Sequence, residues 1–271
     1  GISNVAWAFA RVQRRELSLF RTLANAAIHD VIWSFKSQEL SNTVWAFATV
    51  GVFVPILFEQ VAQVSVSRRF ELPPQNVANM LWAYAKFPAA PRKLLFPPLL
   101  EVALRRLDQY KPLEISTILW AAGKESGYHW CRKLFLAVPT SFSHRLSEFG
   151  SQALACMVEA FALSQVDELN FLNEMVEEST RRLNSFHLAS LCTLFRGLAF
   201  KAKCQGDQSS MRNTLITVGN HISVRLDEVQ SHNITHLKQS MNLLPQALRS
   251  VSLLHQTLQQ KHGRVAKKSL P

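Results

Sequence analysis

This sequence contains no cysteine arrangement that holds zinc or closes a small disulfide scaffold. Its four cysteines, Cys131, Cys156, Cys192 and Cys204, include no C-x-x-C pair. They read as reduced, mostly buried thiols of a non-oxidising compartment. No apolar run approaches the roughly eighteen residues that a spanning helix needs, so no membrane insertion is expected. No signal peptide is visible. The chain opens on Gly1 inside a repeated cassette, which leads us to expect a processed or partial chain whose targeting segment lies outside it. Alternating strand patterns are nearly absent, which excludes a sheet-based fold. There is no Gly-rich phosphate loop, no nucleophile elbow and no H-E-x-x-H. His232 and His236 stand four apart without a third ligand, so they read as solvated helix histidines. Neither an enzyme, a metal nor a cofactor is expected.

What is present is apolar residue and positive charge. The 271 residues are 48% hydrophobic and 18% charged, which excludes a disordered chain and allows one or two domains. The net charge is +11 and the sequence pI about 9.9, which points to a polyanionic partner, nucleic acid first. Residues 1–150 hold 17 Lys+Arg against 10 Asp+Glu, and residues 151–271 hold 13 against 9. The excess in the second part equals the tail cations Lys261, Arg264, Lys267 and Lys268, and the segment 167–178 is acidic. The N-terminal half and the tail are therefore the candidates for contacting a polyanion.

The sequence repeats. "SNVAWAFARVQ" (3–13), "SNTVWAFATVG" (41–51), "ANMLWAYAKFP" (78–88) and "STILWAAGKES" (116–126) place Trp7, Trp45, Trp82 and Trp120 at spacings of 38, 37 and 38. A second landmark, an aromatic in an apolar stretch, falls at Phe20, Phe58, Phe96 and Phe135, at spacings of 38, 38 and 39. The register continues with Glu159 at the tryptophan position in 156–165, and with Phe195 near it in 191–200. Each repeat reads as two helices, the first carrying the cassette. Pro55 and the Pro88/Pro91 pair fit helix starts or turns. Pro97 and Pro98 mark either a helix start or a kink. The expected fold is all-α, a right-handed α-solenoid of about seven two-helix repeats with a period of 37–39 residues. Its repeats fall near 1–36, 37–73, 74–111, 112–149, 150–186 and 187–230, forming one domain over 1–230. A degenerate capping repeat over 231–262 and a basic tail over 263–271 follow.

The stretch "LPPQNVANMLWAYAK" (72–86), with its relatives at 40–49 and 2–11, resembles the octotricopeptide and heptatricopeptide repeats of organellar RNA-binding proteins, which often accompany RAP domains. The resemblance covers roughly residues 2–200 and does not separate the two repeat types. It implies a mitochondrial protein, or alternatively a plastid one. Such proteins bind organellar transcripts or ribosomal RNA, and some are subunits of a mitochondrial ribosome beside other proteins of the ribonucleoprotein complex.

On a helical wheel of about 100° per residue with tryptophan at zero, each cassette divides by position. An apolar stripe holds Val5, Phe9, Val12; Thr43, Phe47, Val50; and Met80, Tyr84, Phe87. It is expected to pack on the second helix of its own repeat. Alanines one and three after tryptophan fall on the flanks, where small side chains let neighbouring first helices approach. Tryptophan itself reads as a wedge between repeats, with base stacking as the other reading.

Three before tryptophan stand Asn4, Asn42, Asn79 and Thr117, and four after stand Arg11, Thr49, Lys86 and Lys124. These face away from the apolar stripe and would align into an amide-like and a largely basic ladder along one surface. An amide can bond a base edge and a cation a phosphate. The competing reading is first-turn capping or inter-repeat bonding for the amides, and a helix C-terminal or solvated cation for the basic residues. Further cations, Arg92, Lys93, Arg132, Lys133, Lys201 and Lys203, are assigned to inter-helix loops.

Ten residues after each landmark, Arg68, Arg106, Arg145 and Arg182 form a second ladder, accompanied by Arg69, Arg105 and Arg181 and read as structural. The function expected is an organellar RNA-binding repeat protein that holds RNA, with ribosomal RNA of a mitochondrial ribosome as the specific case. The alternative is a protein-binding scaffold subunit of an organellar complex.

Overall fold

The computed structural model describes residues 1–125, 129–164, 166–205, 209–229, 231–244 and Leu254. The expected basic tail and most of the capping repeat beyond residue 244 lie outside these. The fold is all-α: among the described residues every regular element is helical. The chain divides into two compact units, Gly1–Ser141 and Phe142–Pro271.

In the N-terminal unit, first helices α1 (Ile2–Arg11), α3 (Ser37–Thr49), α5 (Pro74–Ala85) and α7 (Pro112–Gly123) alternate with second helices α2 (Leu17–Ala26), α4 (Pro55–Ser67), α6 (Arg92–Leu104) and α8 (His129–Phe142). First helices lie side by side, α1 on α3, α3 on α5 and α5 on α7, and α4 lies on α6. The C-terminal unit repeats the plan with first helices α9 (Ser151–Leu163), α11 (Leu188–Gln205) and α13 (Ser231–Leu243), and second helices α10 (Leu169–Arg181) and α12 (Ser209–Val224). There α9 lies on α11, α11 on α13, and α10 on α12.

Local sequence explains where helices start. Pro55, Pro74 and Pro112 each occupy the first helical position, where a missing N–H removes no bond. The backbone N–H groups of Lys36 and Lys111 donate to the carboxylates of Glu39 and Glu114, each at 2.9 Å, which closes the first turns of α3 and α7. Pro97 and Pro98 do not start a helix. They sit inside α6, which begins at Arg92. Neither proline can donate the backbone hydrogen bond that a helix interior position normally supplies.

The end of α3 carries a Schellman turn. Gly51 has φ 69, its N–H donates to Ala48 O at 3.3 Å, and the Val52 N–H donates to Phe47 O at 2.9 Å. The same turn ends α1, but Gln13 takes the left-handed position with φ 53. A side chain there is strained. Gln13→Gly is therefore expected to raise stability by about 1 kcal/mol, read as a higher denaturant midpoint at unchanged slope.

In repeats 2 and 3 the apolar stripe is buried except for the half-buried Phe87, and α3 and α5 touch the second helices of their own repeats, but their aromatics also reach the second helix of the preceding repeat. Phe47 meets Phe20 of the preceding repeat edge-on at 4.9 Å. Tyr84 meets Phe58 at 5.1 Å, and its hydroxyl donates to Phe58 O at 2.5 Å. The wheel fixes the direction in which a residue points, but not which of two second helices lies there. Through Phe47 and Tyr84, α3 and α5 touch the preceding second helix as well as their own. In repeat 4 the docking aromatic is replaced by Ala122, and Trp130 fills in against Phe96 at 5.6 Å. In α1, Val5 and Val12 of the stripe are 40% and 67% exposed.

Candidate nucleic-acid interface

Four positions of α3, α5 and α7 form one line along the outer side of the helix, at −7, −3, 0 and +4 from tryptophan, and α1 carries the last three of them. In α3 these are Gln38, Asn42, Trp45 and Thr49. In α5 they are Gln75, Asn79, Trp82 and Lys86, and at α7 they are Leu113, Thr117, Trp120 and Lys124. All of them are exposed or half-buried, whereas the flanking small residues Ser41, Ala46, Ala78, Ala83, Ser116 and Ala121 are buried. The side-by-side arrangement of α1, α3, α5 and α7 therefore makes one strip. Gln38 and Gln75 were missed in the sequence reading. Their signal was the −7 position, two turns before tryptophan on the same line.

The amides are unpaired. Asn42 and Asn79 sit in mid-helix rather than in a first turn, which removes capping as their role. No side-chain hydrogen bond to Asn4, Asn42 or Asn79 occurs among the described residues. Thr49 and Thr117 instead donate to the carbonyls of Trp45 and Leu113, at 2.8 and 2.7 Å. The cations have a defined seat. Arg11, Lys86 and Lys124 stand over the rings of Trp7, Trp82 and Trp120, at 5.5, 5.4 and 5.2 Å from the centroids. Lys86 and Lys124 also cap the C-termini of α5 and α7, where the helix dipole favours them. Trp45 and Trp82 of neighbouring repeats lie 6.4 Å apart at 31°.

Other expected contact residues lie elsewhere. Arg92, Lys93, Arg132, Lys133, Lys201 and Lys203 are not in loops. They belong to α6, α8 and α11: Arg92 and Lys93 open α6 after Pro91, and "CRKLF" and "LAFKAK" lie within helical runs. Arg92 is committed within the protein: it pairs with the buried Glu125 carboxylate and donates to Pro88 O at 3.0 Å. Lys93, Arg132 and Lys133 are exposed, whereas Lys201 is buried.

Three members of the second arginine ladder reach back along the chain, whereas Arg145 pairs with Glu148 at 2.9 Å. Arg68 donates to Phe35 O at 2.8 Å, Arg106 to Leu72 O, and Arg182 to Phe149 O at 2.7 Å. Each reaches back to the joint that closes the preceding repeat. The residues around it form a recurring closing motif, as in Arg106-Leu107-Asp108-Gln109-Tyr110 and Arg182-Leu183-Asn184-Ser185-Phe186, with the second and fifth side chains buried. Arg69 and Arg105 both stand over the exposed Phe70 ring, at 4.4 and 5.3 Å.

Compared with family models and with curated proteins, the chain matches none.

The strip does not continue on α9 and α11 of the C-terminal unit. In the C-terminal unit the tryptophan position is taken by Glu159 and, 37 residues on, by Arg196 rather than by the neighbouring Phe195. Arg196 donates to both Glu159 carboxylate oxygens, at 2.6 and 2.8 Å. Here an ion pair takes the place of the tryptophan contact. Burial by itself lowers the Arg196 pKa, but the bonds and charge of Glu159 outweigh it and raise the value. The ladder positions beside the pair are Cys156 with Leu163, and Thr193 with Phe200, so neither amides nor cations continue there.

The four thiols are unpaired. Burial pushes Cys131 up to about 12, and Cys156 and Cys192 to about 11, which makes these three poor nucleophiles. Among the described residues no cluster of side chains could hold a metal, and no helix is long and apolar enough to cross a membrane.

Proposed function

We propose that this chain is an RNA-binding helical-repeat protein, and that the strip on α1, α3, α5 and α7 is its RNA-contacting surface. The observation that carries this reading is that unpaired amides on α1, α3 and α5 and cations held over tryptophan rings on α1, α5 and α7 line one side of adjoining first helices. Unpaired donors and fixed positive charges at a regular step suit a polymer of regular negative charge. The excess of basic residues in the same half of the sequence supports it. The organelle and the RNA class follow from the repeat resemblance alone: a mitochondrion, and ribosomal RNA held within a ribosomal subunit.

Lys86→Glu combined with Lys124→Glu is the direct test. Both side chains are exposed at helix ends, so the fold should survive, which a thermal melt checks. RNA affinity is expected to fall at least about tenfold, and the log–log salt slope to become shallower by about 1.4 for two lost single-strand phosphate contacts. Unchanged affinity and slope would refute the assignment and leave the scaffold reading in its place.

A further inference from the structure

We propose that the strip holds the sugar-phosphate backbone of RNA and does not read its bases, an inference that rests on the RNA-binding reading above. The first support is uniformity. The central position is tryptophan in all four helices, the −3 position is asparagine in three of the four, and the +4 position is cationic in three of the four. Bases are told apart by different donor and acceptor patterns, so a reader of mixed sequence needs different side chains at successive steps. A strip that repeats itself matches what repeats in every nucleotide, namely phosphate and ribose.

The second support is the state of the aromatic rings. A single strand is commonly gripped by stacking its bases on open aromatic faces. Here a cation already stands over Trp7, Trp82 and Trp120, and the Trp45 ring lies tilted beside that of Trp82. The indoles serve as seats for the cations and so fix where the charge sits. Arg11, Lys86 and Lys124 are then presented in defined positions, beside unpaired amides whose N–H groups can donate to phosphate or to a 2′-hydroxyl.

The main rival is adenine reading. Asparagine can bond adenine through two atoms at once, and three asparagines in succession would select a run of adenines. The two ideas separate on ligands. The full chain would be titrated at one fixed salt concentration with single-stranded RNA dodecamers of A, of U, of C and of mixed sequence. An abasic ribose-phosphate dodecamer completes the set.

The expected result is a spread of less than about threefold across all five, below the roughly fivefold that the weakest two-atom base contact gives. Asn42→Ala with Asn79→Ala should weaken all five alike. A preference of about tenfold or more for one base, or a comparable loss with the abasic strand, overturns the backbone assignment and leaves RNA binding standing. A fall confined to the adenine strand in the asparagine variant does the same. Failure of every strand to bind overturns both.

Discussion

Arg196→Ala is expected to destabilise the protein by about 3–5 kcal/mol, the cost of leaving a charge buried without its partner. Glu159→Ala is expected to cost less, about 1–3 kcal/mol, because it removes the buried member and leaves an arginine that water can reach. The asymmetry follows from exposure: the Glu159 side chain is 2% exposed and that of Arg196 29%. Denaturant midpoints of the two variants measure it. Replacing both residues by leucine should cost less than Arg196→Ala alone, since no charge is then stranded. Equal losses in the two single variants would show that the pair is not held as described.

The second large effect concerns Gly197, one residue beyond Arg196. A Cβ placed there would lie 2.8 Å from Glu159 Cα and 2.9 Å from Glu159 N. These are backbone atoms of the neighbouring first helix, and they cannot swing aside as a side-chain tip can. Alanine is the better helix former by about 1 kcal/mol. Gly197→Ala is nevertheless expected to be destabilising, by about 2–3 kcal/mol, because α9 and α11 must separate to admit the methyl group. Gly197→Val should cost more. A neutral Gly197→Ala would mean that the two helices are not in backbone contact.

Gly197 also shows how far the sequence could be read. Small residues one and three places after tryptophan were assigned to close approach of first helices, and Gly197 occupies the first of these places in its own repeat. The residue before it misled. Phe195, an aromatic near the expected spot, puts the register one residue off when apolar character alone is followed. What the repeat keeps at that place is a mutual contact between neighbouring first helices, tryptophan near tryptophan in one case and glutamate with arginine in the other. The sign that could have shown it was opposite charge at a separation of one period.

A similar limit applied to Arg92. Its charge was legible, but its use was not, since Glu125 lies 33 residues away and only the stacking of repeats brings the two together. The outer strip was easier to read because its members within each repeat belong to one helix, where the wheel alone decides who shares a side. Docking of Phe47 on Phe20 and of Tyr84 on Phe58 was not legible for the opposite reason: it depends on where a second helix lies.

The backward-reaching arginines bear on how the chain folds. Arg68, Arg106 and Arg182 bond acceptors 33, 34 and 33 residues earlier, and the Glu159–Arg196 pair spans 37. None of these bonds requires distant parts of the chain to meet. The loops they close are of nearly one length, and the entropy of closure varies only slowly with length. Each step of assembly therefore faces almost the same barrier as the last. Such a chain can begin folding at any adjacent pair of repeats and zip outward in both directions, quickly for its size.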